Sequence, residues 1–213
     1  TMRGELANPD SSPLDYNGRF IADGSSLTVI TSSKLRLVNF SVIGTNTPYA
    51  IQVEAGGQLG IYNGTYDSAN NEWKGGSNAY ITAAGGTAIL NQGYVEMING
   101  AITGSVNGIE STDMAGKLAI VNSTIAGNSG WGIISSIADP GSEYWNFLVA
   151  NSTIAYNEAG GIWLKAGKLS LINSIVLNSI DGKNDIWLMA TVRSTTTAAT
   201  STVPEQRPTV SPN

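Results

Sequence analysis

The chain has 213 residues, 41% of them hydrophobic but only 13% charged, about half the usual charged share of ~25%. Its net charge of −5 comes without a basic cluster, which argues against nucleic acid as a partner. Cysteine and histidine are both absent, excluding disulfides, thiolate or imidazole metal sites, and every Ser-His or Cys-His catalytic couple.

The 25 glycines and the abundance of Asn, Ser and Thr point to a turn-rich β protein. No apolar run is long enough to cross a bilayer as a helix. Residues 1–26 form an extended N-terminal segment: "TMRGELANPDSSPLDYNGRF" has no helical period and supplies no capping helix. "SSLTVIT" then begins the main domain, 27–193, with Leu27 and Val29 facing inward.

From Leu35 onward the chain repeats itself. Asn39, Asn63, Asn99, Asn122, Asn151 and Asn173 serve as anchors. Four residues before them stand Leu35, Leu59, Val95, Leu118, Phe147 and Leu169, and two before them Leu37, Ile61, Met97, Ile120, Val149 and Leu171. Three after them stand Val42, Tyr66, Ile102, Ile125, Ile154 and Val176. Later in each copy come Ile51, Ile81, Ile109, Ile133, Ile162 and Ile186, followed two residues on by Val53, Ala83, Ser111, Ser135, Leu164 and Leu188. Short alternating stretches of this kind predict strands with one buried side. Gly56-Gly57, Gly85-Gly86, Gly116 and Gly167 are the hinges between copies.

The spacing between anchors is 22 (Asn151 to Asn173), 23 (Asn99 to Asn122) and 24 (Asn39 to Asn63). Three short strands with three turns fit that length, the signature of a solenoid. The longer intervals, 29 after Asn122 and 36 after Asn63, accommodate protruding insertions, "SIADPGSEYWN" and "DSANNEWKGGSN". Beyond the last copy, residues 194–213 form a Thr/Ser/Pro-rich tail whose "TSTV" is able to add a strand to an exposed sheet edge.

The phrases "NSTIAGNSGWGI", "NSTIAYNEAGGI" and "NSIVLNSIDGKNDI" resemble repeats of the right-handed parallel β-helix superfamily, to which the pectate lyases belong, and are most similar to those of large secreted bacterial surface proteins. The resemblance covers roughly Leu27 to Leu188. It implies an all-β right-handed parallel β-helix of about six coils, an extracellular or cell-surface location, and an asparagine ladder at one turn. Asn122-Ser-Thr and Asn151-Ser-Thr also read as glycosylation sequons, but Asn99 and Asn173 hold the same slot without one. The ladder is therefore the preferred reading, since Asn bonds its own backbone and tolerates left-handed geometry.

A catalytic constellation is not expected. The outward column is predicted as Gln52, Thr82, Glu110, Ile134, Trp163 and Trp187, and the next as Glu54, Ala84, Thr112, Ser136, Lys165 and Met189. Glu54 and Glu110 stand apart, whereas a lyase or hydrolase needs grouped carboxylates. Within "DGKND", Asp181 and Asp185 are metal-ligand candidates, but a plain Asp-Gly turn is the preferred explanation, and no cofactor or metal is expected. Ile134, Trp163 and Trp187 form an outward stripe suited to another protein surface or to sugar rings, and such a stripe needs a cover.

The expectation is a non-enzymatic, extracellular structural protein, a filament or fibre subunit that joins copies of itself through its extended termini. A stalk or adhesin domain binding carbohydrate is the first alternative, and a polysaccharide lyase or hydrolase relative the second. Polysaccharide is thus a secondary partner; nucleic acid and membrane insertion are not expected.

Overall fold

The computed structural model describes residues 18–76, 79–113, 116–135, 147–165, 168–177, 185–188 and 193–197. Alternating apolar residues with short polar turns produce strands throughout, and no helix occurs among the described residues. Three sheets of seven strands carry the structure, and the pairings within them are parallel.

The first sheet stacks Gly18–Asp23, Phe40–Thr45, Ile81–Ala83, Ala101–Ile102, Thr124–Ala126, Thr153–Ala155 and Ile175–Leu177. The second stacks Leu27–Val29, Tyr49–Val53, Thr87–Asn91, Ile109–Ser111, Trp131–Ser135, Gly160–Leu164 and Ile186–Leu188. The third stacks Lys34–Val38, Gln58–Tyr62, Tyr94–Ile98, Lys117–Val121, Phe147–Ala150, Lys168–Ile172 and Arg193–Thr197. The chain visits the three sheets in rotation and lays each strand beside the one from its previous visit. This all-β arrangement is consistent with a parallel β-helix.

Register places like residues on like. Ile51, Ile89, Ile109, Ile133 and Ile162 lie directly over one another and are fully buried. Val42, Ile81, Ile102, Ile125 and Ile154 do the same in the first sheet. Leu59, Val95, Leu118 and Phe147 complete the core from the third. A parallel strand buried on one face and spaced about 4.8 Å from its neighbours repeats the same environment at every level, so one residue type recurs down each column.

The structure corrects the predicted register at the 36-residue interval. Thr65–Asp67 and Glu72–Lys74 pair antiparallel as a separate hairpin, so the chain leaves the sheets just after Asn63. Tyr66 belongs to that hairpin. The inward position it was expected to fill is held by Ile81, which pairs with Val42 and Ile102 in the first sheet. The second-sheet marker is accordingly Ile89, and the outward column contains Leu90 where Thr82 was expected. The insertion has its own alternation, so counting forward from Asn63 met an apolar residue at the expected offset for the wrong reason.

The terminal segments also contribute strands. Gly18–Asp23, expected within the extended segment 1–26, pairs along its length with Phe40–Thr45. Arg193–Thr197, which crosses the expected boundary between the domain 27–193 and the tail 194–213, pairs with Lys168–Ile172. The insertion at 136–146, residues 1–17 and the tail beyond 197 lie outside the described residues.

Ile133 and Ile134 separate inward from outward burial at adjacent positions. Ile133→Ala is expected to lower unfolding free energy by about 2–5 kcal/mol. Ile134→Ala, on the half-buried outer face, is expected to cost under about 1.5 kcal/mol, both read by chemical denaturation.

Candidate functional site

At the corners between sheets the backbone leaves the ladders, and its N–H and C=O groups need other partners. The corner joining the third sheet to the first contains the predicted asparagines. Asn39, Asn99, Asn122, Asn151 and Asn173 all have positive φ, between 46° and 56°, in the left-handed region that Asn tolerates better than most residues. The Asn122 amide donates to Asn99 Oδ1 at 2.5 Å, and the Asn173 amide to Asn151 Oδ1 at 2.8 Å. The Asn99 amide reaches the Asn63 carbonyl at 2.9 Å.

Asn63 itself departs from this pattern. Its φ is not positive; Gly64 takes the left-handed conformation instead, at 115°, where the hairpin begins. Asn63 is 2% exposed, whereas Asn122, Asn151 and Asn173 are exposed.

A deeper row of polar groups runs just inside the same corner, and sequence reasoning missed it. Ser123, Ser152 and Ser174 are buried. Ser123 N–H donates to Ser152 Oγ at 3.0 Å, and Ser152 N–H to Ser174 Oγ at 3.1 Å. Each hydroxyl in turn donates to a carbonyl two residues back, Val121, Ala150 or Ile172, at 2.7–2.9 Å. The serine of the apparent sequon is thus an interior hydrogen-bonding residue.

The next corner, between the first and second sheets, repeats the device. Ser105 N–H donates to Asn128 Oδ1 at 3.0 Å, and the Asn128 amide donates to Asn157 Oδ1 at 2.8 Å, all of these residues being buried. The signal was visible in "ITGS", "AGN" and "AYN", whose polar residues stand three after Ile102, Ile125 and Ile154. At the third corner Asn91 donates to Ser111 Oγ at 3.2 Å and to the Lys117 carbonyl at 3.0 Å.

Two aromatic groups lie on the outer faces. On the second sheet the expected stripe is in register, Ile134 beside Trp163 and Trp163 beside Trp187. Trp131, absent from the sequence-based stripe, joins it. The three indole centroids are 5.5, 5.7 and 6.3 Å apart, forming a compact triangle in place of an extended platform. Lys165 Nζ sits 4.5 Å from the Trp163 ring centroid, within cation–π range. The Trp163 indole N–H is buried with no acceptor among the described residues. Trp187 remains 48% exposed.

On the third sheet, Tyr62 lies over Gly60, where any β-carbon would collide with its ring. The Tyr62 ring is stacked on Trp73 of the hairpin at 5.0 Å, and the Arg36 guanidinium carbon is 5.0 Å from its centroid. Tyr62 donates its hydroxyl to Glu96, which also accepts from Tyr94 at 3.5 Å. Burial, reinforced by the bond to Glu96, pushes the Tyr62 phenol well above its ordinary range; burial also raises Tyr94. Both remain neutral hydrogen-bond donors near neutral pH. The cluster ties the hairpin to the sheet.

The hairpin has its own ion pairs. Lys74 Nζ contacts Asp67 at 2.7 Å and Glu72 at 3.0 Å. The bond from Lys74 holds the Asp67 carboxyl down at about 2, against an ordinary 3.8, with the Asn70 amide assisting.

Among the remaining sequence candidates, Glu54 and Glu110 occupy different columns on the second-sheet side. Glu54 accepts the Thr31 N–H at 3.4 Å, and Glu110 is in register with Leu90 and Ile134. Asp181 lies outside the described residues. Asp185 is buried, and its backbone carbonyl accepts the Ile162 N–H at 2.9 Å. No group of three potential metal-ligating side chains occurs among the described residues. Likewise no described helix is long and apolar enough to cross a membrane.

No protein-family model, curated protein or solved structure matches the chain. What the geometry defines is an all-β protein of parallel strands stacked in three sheets.

Ser152→Ala leaves the buried Ser123 N–H without its acceptor and is expected to cost about 1–3 kcal/mol. Asn122→Gly is expected to be better tolerated than Asn122→Ala, because at an exposed left-handed position the backbone dominates. Paired denaturation curves of the three variants check both statements.

Acid should loosen the hairpin late. A carboxyl with a depressed folded pKa contributes its stabilisation above the unfolded value and loses it as pH falls through the folded one. The Asp67–Lys74 contact is therefore expected to persist to about pH 4 and to fade between about 4 and 2. Tryptophan fluorescence of the wild type against Trp73→Phe isolates this step.

Proposed function

We propose that the chain is a right-handed parallel β-helix module with a structural role: a self-associating subunit of an extracellular surface fibre, joined through its terminal segments. The right hand follows from the strong rule for parallel crossovers. On this reading the seven strands per sheet are seven coils, with Gly18–Asp23, Leu27–Val29 and Lys34–Val38 as the first, beside the expectation of about six. The hydrogen-bonded asparagines support an amide ladder along one corner, interrupted at Asn63 by the hairpin.

The continuity of the three ladders carries the functional reading. Each runs from the first described strand to the last, and among the described residues no helix covers either edge. An open edge offers N–H and C=O groups for another strand. The two edges of a parallel sheet are complementary, so one end of such a rod pairs with the opposite end of another. That contact is heterologous, and when it does not close into a ring it builds an open fibre.

A second reading, an adhesive stalk domain, is favoured by the exposed Trp187 at the margin of the indole triangle. It is the alternative if the purified chain does not associate.

Sedimentation velocity and negative-stain microscopy over a concentration series test the fibre reading. Elongated particles that grow with concentration are expected from the full chain. Deleting Ser194 to Asn213 removes the last strand of the third sheet, so that end no longer finishes level. The truncated chain should keep most of its β-sheet circular dichroism while association falls at least about tenfold. A full chain that stays monomeric at every concentration refutes the proposal.

A further inference from the structure

Resting on that reading, we propose that copies stack end to end with all three ladders in register. Gly18–Asp23, Leu27–Val29 and Lys34–Val38 of one copy would extend the sheets that end in Ile175–Leu177, Ile186–Leu188 and Arg193–Thr197 of the next. The occupant of each open end is a second copy of this chain.

The strand lengths match in two of the sheets. Three residues meet three in the second, Leu27–Val29 against Ile186–Leu188; five meet five in the third, Lys34–Val38 against Arg193–Thr197. The terminal strands are already held in line by their own neighbours. A docking copy therefore meets a preordered edge.

The outer face of the first sheet identifies the register. One outward column begins Ile21, Ile43, Thr82 and ends Ala126, Ala155, Leu177. Its halves are aligned through the inward neighbours Ile81, Ile102 and Ile125. Its two extremes are large, apolar and exposed, Ile21 at 53% and Leu177 at 41%, whereas small or polar residues lie between Ile43 and Leu177. Stacking brings Leu177 beside Ile21 and removes both from water, which favours association.

Part of the core gives the same indication. Phe20, Leu27 and Leu35 at one end, and Ile186 at the other, are only partly buried although they belong to inward columns, whereas Ala22, Val29 and Val176 of the terminal strands are buried. In-register stacking places Leu27 beyond Ile186 in the same column.

The absence of cysteine makes the register directly testable. Neighbours in one column of a parallel sheet lie about 4.8 Å apart, within the ~4.4–6.8 Å Cα separation that a disulfide spans. The double variant Ile21→Cys, Leu177→Cys is oxidised mildly at associating concentration and run without reductant. A series of covalent multimers that reductant collapses is the expected result. Ile21→Cys with Ile43→Cys, paired within one chain, is the positive control and should link only internally. Thr28→Cys with Trp187→Cys repeats the test on the second sheet and covers poor folding of the first pair. Association by sedimentation without linkage of either test pair, while the control links, overturns the register and leaves the fibre reading standing. A chain that neither associates nor links overturns both.

Discussion

The structure depends on one repeated contact, the backbone ladder between a strand and the strand laid down one visit earlier. Because all three sheets are parallel, this ladder fixes side-chain register as well as spacing, and a residue's neighbours are its own counterparts. That is why isoleucine lies on isoleucine from Ile51 to Ile162. It is also why polar side chains cannot be distributed freely inside. They gather at the corners, where the backbone needs partners that the sheets no longer provide, and Ser123, Ser152 and Ser174 bond one level to the next as the strands do.

The same spacing sorts the aromatics. Phe147 is the single ring among the largest fully buried side chains. Trp131, Trp163 and Trp187 lie outside the second sheet, and Tyr62 and Trp73 outside the third, where rings can pack across rows. Inside, each level has room for side chains of similar size, and a large ring must be accommodated by its neighbours above and below. Packing of this kind favours branched aliphatics in columns. The outer clusters therefore add local cohesion without disturbing the repeat: one holds Lys165 over Trp163, and the other anchors the hairpin by stacking Trp73 on Tyr62.

Most inward positions were legible because they obey two simple periods, alternation within a strand and a recurrence of 22–24 residues between strands. The insertion "DSANNEWKGGSN" was legible but its start was not: Tyr66 is apolar at the expected offset, so the first hairpin strand was counted into the sheet and Ile81 was assigned to the second sheet in place of the first. The stripe Ile134, Trp163 and Trp187 was legible because register alone defines it. Trp131 was not, since its place in the triangle depends on how far an indole reaches across rows. The Tyr62–Glu96 cluster was hidden for a similar reason: its partners are 34 residues apart and meet over a glycine. The buried serines Ser123, Ser152 and Ser174 were in plain view but were passed over, because the ladder reading attached itself to the asparagine beside each.

The nearest-neighbour ladder also determines how the molecule would respond to tension. A force applied to one terminus loads only the outermost strand and its single partner row, so the chain peels away one circuit at a time while the rest remains intact. The circuit from Asn151 to Asn173, of 22 residues, contributes an extended length of about 75 Å, against less than about 5 Å of rod. Single-molecule pulling would trace repeated, nearly equal force peaks, with an irregular step where the hairpin and its tyrosine anchor give way. A rod built on this plan absorbs mechanical work in small recoverable portions.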